Sequence, residues 1–513
     1  MPSQKRQKRG EPVRRGVRPS GNALLASTGN SARTEGLGSL SLLSDELISQ
    51  IFGELDPDSW RLTQACSRAF FAWSSIEALW KVAYITRTNG LLRSWQGSWR
   101  STYLWQYYGV PADCIAAPDL SCIYSDVLYT PVLAAAYDAN SLVRSNSLQD
   151  LVPRRDVASV TKEGLGQEPF ILTGAMDTWS AYKGSRSWNS LTTLAQRFPD
   201  CQLRAEAVLA NLATYLTYHD HCPADESPLY LFESHFVEKM LCQDEYSVPL
   251  PFDDDLFYVL GDERPDYRWL IAGPRRSGST WHVDPNATSA WNAVIAGAKA
   301  WILLPPHVLP PGVHVSADRS EVECPLSLAE WWINYYQQTL AEYGEHAKEP
   351  KHRGLLRQGI CRPGEIFFVP SGWWHIVVNL EDSIAITQNF VSAECLPQVM
   401  HFLRHKPEQI SGFKLDKTAD PLNARDCDEI PADVYERFCQ ALAAAEPALY
   451  KDGLAGLREL ERKSKSTTEP KSMLFGDKVS RSVKCKCISS RHNKPQSVET
   501  KADACARGVS RRQ

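Results

Sequence analysis

"STWHVDPNATSAWNAVIAGAKAWILLPP", residues 279–306, decides the reading of this chain. Its runs "SAWNAVIAG" and "KAWILLPP" are short, apolar and strand-like, yet they carry Asn292 and Lys299. Polar side chains on buried strands are costly unless something pairs with them. His282 and Asp284 stand two residues apart, a spacing that puts both on one face of a strand, about 6.6 Å apart at their Cα atoms. They can converge on one metal ion, with Val283 facing the other way. A third donor comes from "PSGWWHIVVNL" at 370–380, where His375 follows a strand and a tight turn. Two imidazoles and one carboxylate on one side of a metal leave open positions opposite, the facial arrangement of non-heme Fe(II) oxygenases.

Lys299 sits just past Gly297, in what reads as a hairpin with apolar flanks. A lone ammonium there is expensive to desolvate, and a small dicarboxylate would supply its counter-charge. In "SIAITQNF" at 383–390, alternation places Ala385, Thr387 and Asn389 on one face, against Ile384, Ile386, Gln388 and Phe390 on the other. The first face is small and polar, as a ligand-lined barrel interior would be. Asn292 on its own strand can add a hydrogen bond.

Further short strand-like runs, "EPFILTG", "PLYLFES", "YRWLIAG", "GEIFFVP" and "WWHIVVNL", are separated by Gly, Pro, Asn and Asp, which points to a barrel or sandwich. Helical periodicity marks a stretch within "LRAEAVLANLATYLTYHD" at 203–220, a stretch near "SLAEWWINYYQQTLAEYG", and the segments "LPQVMHFLRHK" and "ADVYERFCQALAAAEPALY". Residues 87–165 carry aromatics and loop signals but no chemistry-bearing motif. Five tryptophans, Trp281, Trp291, Trp301, Trp373 and Trp374, read mainly as core, with Trp374 beside His375 reserved for the site. Arg275 and Arg276 read either as an entrance for an acidic substrate or as solvated. "YHDHC" at 218–222 and "CKC" at 485–487 lack the second ligand pair a zinc site needs.

Near the N-terminus, Ser44 is placed to cap a helix opened by Asp45 and Glu46. Leu47, Ile48, Ile51, Phe52 and Leu55 then share one face, and Leu62, Ala65, Cys66, Ala69, Phe70 and Trp73 repeat at three and four residues. Residues 37–86, with "ELISQIF", "ACSRAFFAW" and a closing "LW", resemble the F-box, by which substrate receptors grip the adaptor subunit of SCF ubiquitin ligases. The usual Pro after the opening Leu is absent.

The blocks "GPRRSGSTWHVDPNATSAWNAVIAGAKAWILLPP" and "GEIFFVPSGWWHIVVNLEDSIAITQNFVS" resemble the jumonji-C (JmjC) domain across about 166–392. They are closest to the subgroup once called the phosphatidylserine receptor, protein lysyl hydroxylases and arginine demethylases. The resemblance implies a double-stranded β-helix that uses Fe(II), 2-oxoglutarate and O2. It implies His282, Asp284 and His375 as iron ligands. It also implies Lys299 and Thr387 on the far carboxylate of 2-oxoglutarate, with Asn292 and Tyr230 as further co-substrate contacts. Ser279 stands where the family has Thr, and Asp284 where many lysine demethylases have Glu, which leans toward hydroxylation. The product of attack on an N-methyl group would lose formaldehyde, so hydroxylase and demethylase share every step but the last.

The fold expected is therefore multidomain α+β: a helical F-box, then a jelly-roll or cupin-type JmjC barrel with flanking helices. The expected order is a basic tail at 1–36, F-box 37–86, a connecting region 87–165, the oxygenase 166–392, helices 393–461 and a second basic tail 462–513. Residues 1–36 carry eight Lys/Arg against two acids, and 462–513 carry fourteen against four. With a net charge of −4 overall, the body between them is near −20. The Ser-rich tails read as disordered, suited to nuclear import or weak nucleic-acid contact or merely solubilising. Fourteen scattered cysteines without disulfide spacing fit a reducing interior, nucleus or cytosol. No apolar run approaches membrane length, so no membrane partner is expected. The partners expected are a protein substrate, such as a histone or another basic nuclear protein, and the SCF adaptor. The rival to the enzyme is a ubiquitin-ligase receptor whose barrel only recognises its client.

Overall fold

The computed structural model describes residues 31–467 apart from 121, 145–147, 222–224, 317–321, 324–325 and 414–432. Cys222, the "CKC" pair and most of both basic tails lie outside the described residues. In chain order the strands are β1 (Arg154–Asp156), β2 (Phe170–Thr173), β3 (Gln202–Ala205), β4 (Val208–Asn211), β5 (Leu231–Glu233), β6 (Arg268–Gly273), β7 (Gly278–His282) and β8 (Ser289–Ala296). They continue with β9 (Lys299–Leu304), β10 (His314–Val315), β11 (Val322–Glu323), β12 (Arg357–Cys361), β13 (Ile366–Val369), β14 (Trp374–Asn379) and β15 (Ser383–Phe390). One sheet runs β1-β2-β13-β8-β15-β6-β5-β3-β4 and a second runs β12-β9-β14-β7. Every pairing in them is antiparallel except β1 with β2.

The two sheets enclose one layer of side chains. Ile171, Val294 and Phe367 of the large sheet pack there with Trp301, Leu303 and Val377 of the small one. The outer faces are covered as well. Ile302, Leu304, Ile376 and Val378 pack on Trp331, Trp332 and Tyr336 of two helices, Leu328–Asn334 and Tyr336–Tyr343. Leu270, Ala272, Ala293 and Ile386 join the helical cluster on the other side. Strands buried on both faces lose strict alternation, which is why β8 and β9 read as almost unbroken apolar runs. Two facing antiparallel sheets with helices on their outer faces accord with the expected jelly-roll barrel.

The sheet order corrects one expectation. Gly297 does not turn a hairpin, because β8 pairs with β13 and β15 whereas β9 pairs with β12 and β14. The chain crosses there from one sheet to the other, and that crossing carries Lys299 into the interior. Gly297 has φ +74°, and a Cβ on it would lie 2.2 Å from the Asp382 carbonyl oxygen. Gly297→Ala is therefore expected to cost about 2 kcal/mol or more of stability, read by denaturant unfolding.

Ser44 caps the helix Asp45–Gly53, its side chain accepting from the Leu47 N–H. The apolar stripe of that helix divides: Ile48 and Phe52 are buried, while Leu47 and Ile51 are 47% and 40% exposed. The next stripe is broken into two helices, Pro57–Thr63 and Arg68–Trp73, because Ser67 caps the second. Leu62, Ala65 and Cys66 are exposed rather than packed. Both boundaries of the expected tails also shift. A helix, Ala32–Leu37, precedes residue 37, held by Arg33 on Asp45 and on the Ser41 and Leu43 carbonyls. The last helix, Pro447–Thr467, runs beyond 461. Residues 87–165 hold helices Trp99–Tyr108, Asp126–Ala136 and Asn140–Arg144. Strands β3 and β4 precede the helix Leu212–Asp220, in a stretch where only the helix was expected.

Candidate active site

β7 ends at His282, directly opposite His375 on β14, and Asp284 follows two residues beyond the strand end as the chain enters a short turn at Pro285–Ala287. One donor atom from each of the three lies within 4.8 Å of the others. The two imidazoles face each other with ring centroids 4.0 Å apart. Asp284 reaches its place by a strand end and a turn, rather than by strand alternation alone.

The backbone sets the tautomers. His282 Nδ1 lies 2.7 Å from the Thr280 carbonyl oxygen, and His375 Nδ1 lies 3.0 Å from that of Trp373. With Nδ1–H donating to a carbonyl in each case, Nε2 is left as the lone-pair atom. Burial pushes the His375 imidazole down to about 4, and burial plus the facing His375 lowers His282. Both are neutral at physiological pH, the metal-binding form. Burial raises the Asp284 carboxyl against the pull of His282. Its Oδ2 is buried without a hydrogen-bond partner. A cation between the three would satisfy that oxygen and both free nitrogens, so the donor set fits a hard-to-borderline divalent metal.

Lys299 is 1% exposed, and its Nζ donates to the Tyr230 hydroxyl at 2.5 Å. Burial lowers the ammonium to about 7. Among the described residues no carboxylate forms an ion pair with it. Cys361 and Asn379 stand opposite it on the two neighbouring strands. Across the large sheet, Thr387 pairs with Asn292, so both project from the same face. Thr387 Oγ1 donates to the Trp291 carbonyl at 2.8 Å, and the Asn292 side-chain oxygen is buried without a partner.

Sequence reading missed the influence of Asn389, which lowers the Asp284 carboxyl against the effect of burial while its Nδ2 donates to Thr288 Oγ1 at 2.8 Å, although alternation had already placed it on the polar face. It also missed Asn379 and Cys361 beside Lys299, whose only signal is strand register. Trp301, read as core, belongs to the interior layer and also stacks 5.9 Å from His375. Trp374, reserved for the site, points the other way into the outer cluster with Trp331, because it alternates with His375 along β14. Arg275 is tied to Asp138, and Arg276 is buried and donates to the Asp225 carbonyl, so neither is a free entrance charge.

A family model described as "JmjC domain, hydroxylase" matches residues 269–390, from β6 to β15. That match and the site inside the barrel define the class: an oxygenase dependent on Fe(II) and 2-oxoglutarate. The chain is 38% identical over 466 residues to "Arginine-specific demethylase JMJ22" of Arabidopsis thaliana, covering 88% of this chain and 83% of that one. It therefore belongs to the JmjC family. It is also 34% identical over 263 residues to "Bifunctional arginine demethylase and lysyl-hydroxylase psr-1" of Caenorhabditis elegans, covering 48% of this chain and 63% of that one. Identity to "2-oxoglutarate and iron-dependent oxygenase JMJD4" of Mus musculus is 28% over 244 residues, covering 44% of this chain and 53% of that one.

Proposed function

We propose that this enzyme hydroxylates basic side chains of protein substrates, and that attack on an N-methyl carbon ends in loss of formaldehyde. The observation that carries the reading is a buried lysine, Lys299, with no carboxylate partner among the described residues, inside the same barrel as a triad of two neutral imidazoles and a carboxylate. His282, Asp284 and His375 would hold Fe(II). Lys299 and Thr387 would receive the far carboxylate of 2-oxoglutarate, with Tyr230 and Asn292 as further contacts. When bound, the metal with 2-oxoglutarate and O2 supplies oxidation of a substrate C–H bond. The protein orients the ligands: the Thr280 and Trp373 carbonyls fix the imidazoles. The interior layer around Trp301 keeps bulk water from the diacid. An acidic body suits a basic substrate, and the relatives' names supply arginine and lysine as candidates. Incubation with Fe(II), 2-oxoglutarate and methylated or unmethylated basic peptides should form succinate. A peptide mass gain of one oxygen marks hydroxylation and a loss of one methylene marks demethylation; no peptide-stimulated succinate would contradict the reading.

A second reading, an F-box bound to an SCF adaptor, is favoured by one observation. Leu47 and Ile51 sit on the exposed side of the helix Asp45–Gly53, and Leu62 is 76% exposed nearby in sequence. Apolar side chains turned outward together suit a partner surface. Leu47→Glu with Ile51→Glu should abolish co-purification of the adaptor while leaving succinate formation unchanged. Adaptor binding that survives both changes would contradict this second reading.

A further inference from the structure

The register of the large sheet extends the diacid face outward to an aromatic rim. Asn292 pairs with Thr387, and Thr387 pairs in turn with Trp269 on β6, so the three side chains project from the same face. Phe232 on β5 pairs with Ile271, two residues from Trp269 on that face. The Phe232 and Trp269 rings stack, with centroids 5.3 Å apart and planes 28° from parallel. Phe232 is 41% exposed and Trp269 is half-buried, so the stack lies at the open edge of the barrel.

Beside it, Tyr267 is already covered: the Arg264 guanidinium lies 3.4 Å from its ring centroid and is matched by Asp255. Among the described residues no Lys or Arg lies over Trp269 or Phe232. The molecule thus stacks one guanidinium on its own rim and leaves the adjoining platform open. Packing does not account for an exposed stack, because neither ring belongs to the hydrophobic clusters of the core.

We propose that the Trp269–Phe232 stack selects the substrate, receiving the planar guanidinium of an arginine at the rim of the diacid pocket. This rests on the oxygenase reading above and names its substrate class. A flat, weakly hydrated cation gains from an aromatic face, and a guanidinium stacks where an ammonium does so less well. Attraction to the ring needs the positive charge, so a citrulline side chain of the same shape loses it.

The test uses the full chain with Fe(II), 2-oxoglutarate and three peptides that differ only in arginine, citrulline or lysine at one position, reading KM for each. The wild type should favour arginine over citrulline by about tenfold, with lysine between them. Trp269→Leu should reduce the arginine preference to about twofold or less, and Trp269→Phe should retain most of it. Phe232→Leu, at a more exposed position, supplies a second variant that should lose part of the preference. An arginine preference that survives both leucine variants, or a wild type that takes lysine or citrulline as well as arginine, overturns the proposal while leaving the oxygenase reading intact. A wild type that forms no succinate with any peptide overturns both.

Discussion

His375→Ala should reduce 2-oxoglutarate turnover by at least about 100-fold, with His282→Ala and Asp284→Ala close behind. Each removes one of three donors that lie within 4.8 Å of one another, and two donors hold a labile divalent ion poorly. His375 is expected to be the most severe case because it is buried and its Nδ1 is committed to the Trp373 carbonyl, which fixes Nε2 as the donor atom. The check is succinate formed per enzyme, alongside bound iron after desalting. The alanine protein should fold, since a buried neutral imidazole leaves behind a small cavity rather than an unpaired charge. Full turnover in His375→Ala would show that the metal, if bound, sits elsewhere.

Lys299→Met should raise KM for 2-oxoglutarate by about 100-fold or more, the cost of removing one partner of a desolvated charge pair. The same change should leave the melting temperature unchanged or higher, because it removes a buried amine that no carboxylate among the described residues accompanies. A loss of affinity without a loss of stability separates a ligand-binding lysine from a structural one. The pH dependence has a definite sign. Free Lys299 titrates near 7, and a bound dicarboxylate restores its ammonium form. Below pH 7 the free lysine is already charged and KM is flat. Above pH 7 each binding event takes up a proton, so KM rises by about tenfold per pH unit. Assays from pH 6 to 8.5 read this directly; a KM that falls over the same range would contradict the role.

The strands that carry this site were legible because each has its own signal. The polar residues Asn292, Lys299 and Thr387 stand out against apolar runs that the two enclosing layers explain. The spacing of His282 and Asp284 was informative even though a turn delivers the carboxylate. What could not be read was the pairing of distant strands. Gly297 looks like a hairpin glycine in one dimension, and only the sheet order shows it as a crossing. Asn379 and Cys361 become neighbours of Lys299 through register alone. Trp374 was misjudged because adjacency to His375 in sequence means the opposite face on a strand. The N-terminal stripe could be read as a face but not apportioned, because apolar periodicity does not say which positions are buried and which are offered outward: Ile48 and Phe52 are buried, Leu47 and Ile51 exposed.

The most direct measurement is a crystal structure of the full chain grown without oxygen in the presence of Fe(II) and 2-oxoglutarate. The account predicts an anomalous iron peak bonded to His282, Asp284 and His375, with the far carboxylate of the diacid on Lys299. Iron bound at other residues, or a diacid that leaves Lys299 with Tyr230 as its sole polar neighbour, would contradict it.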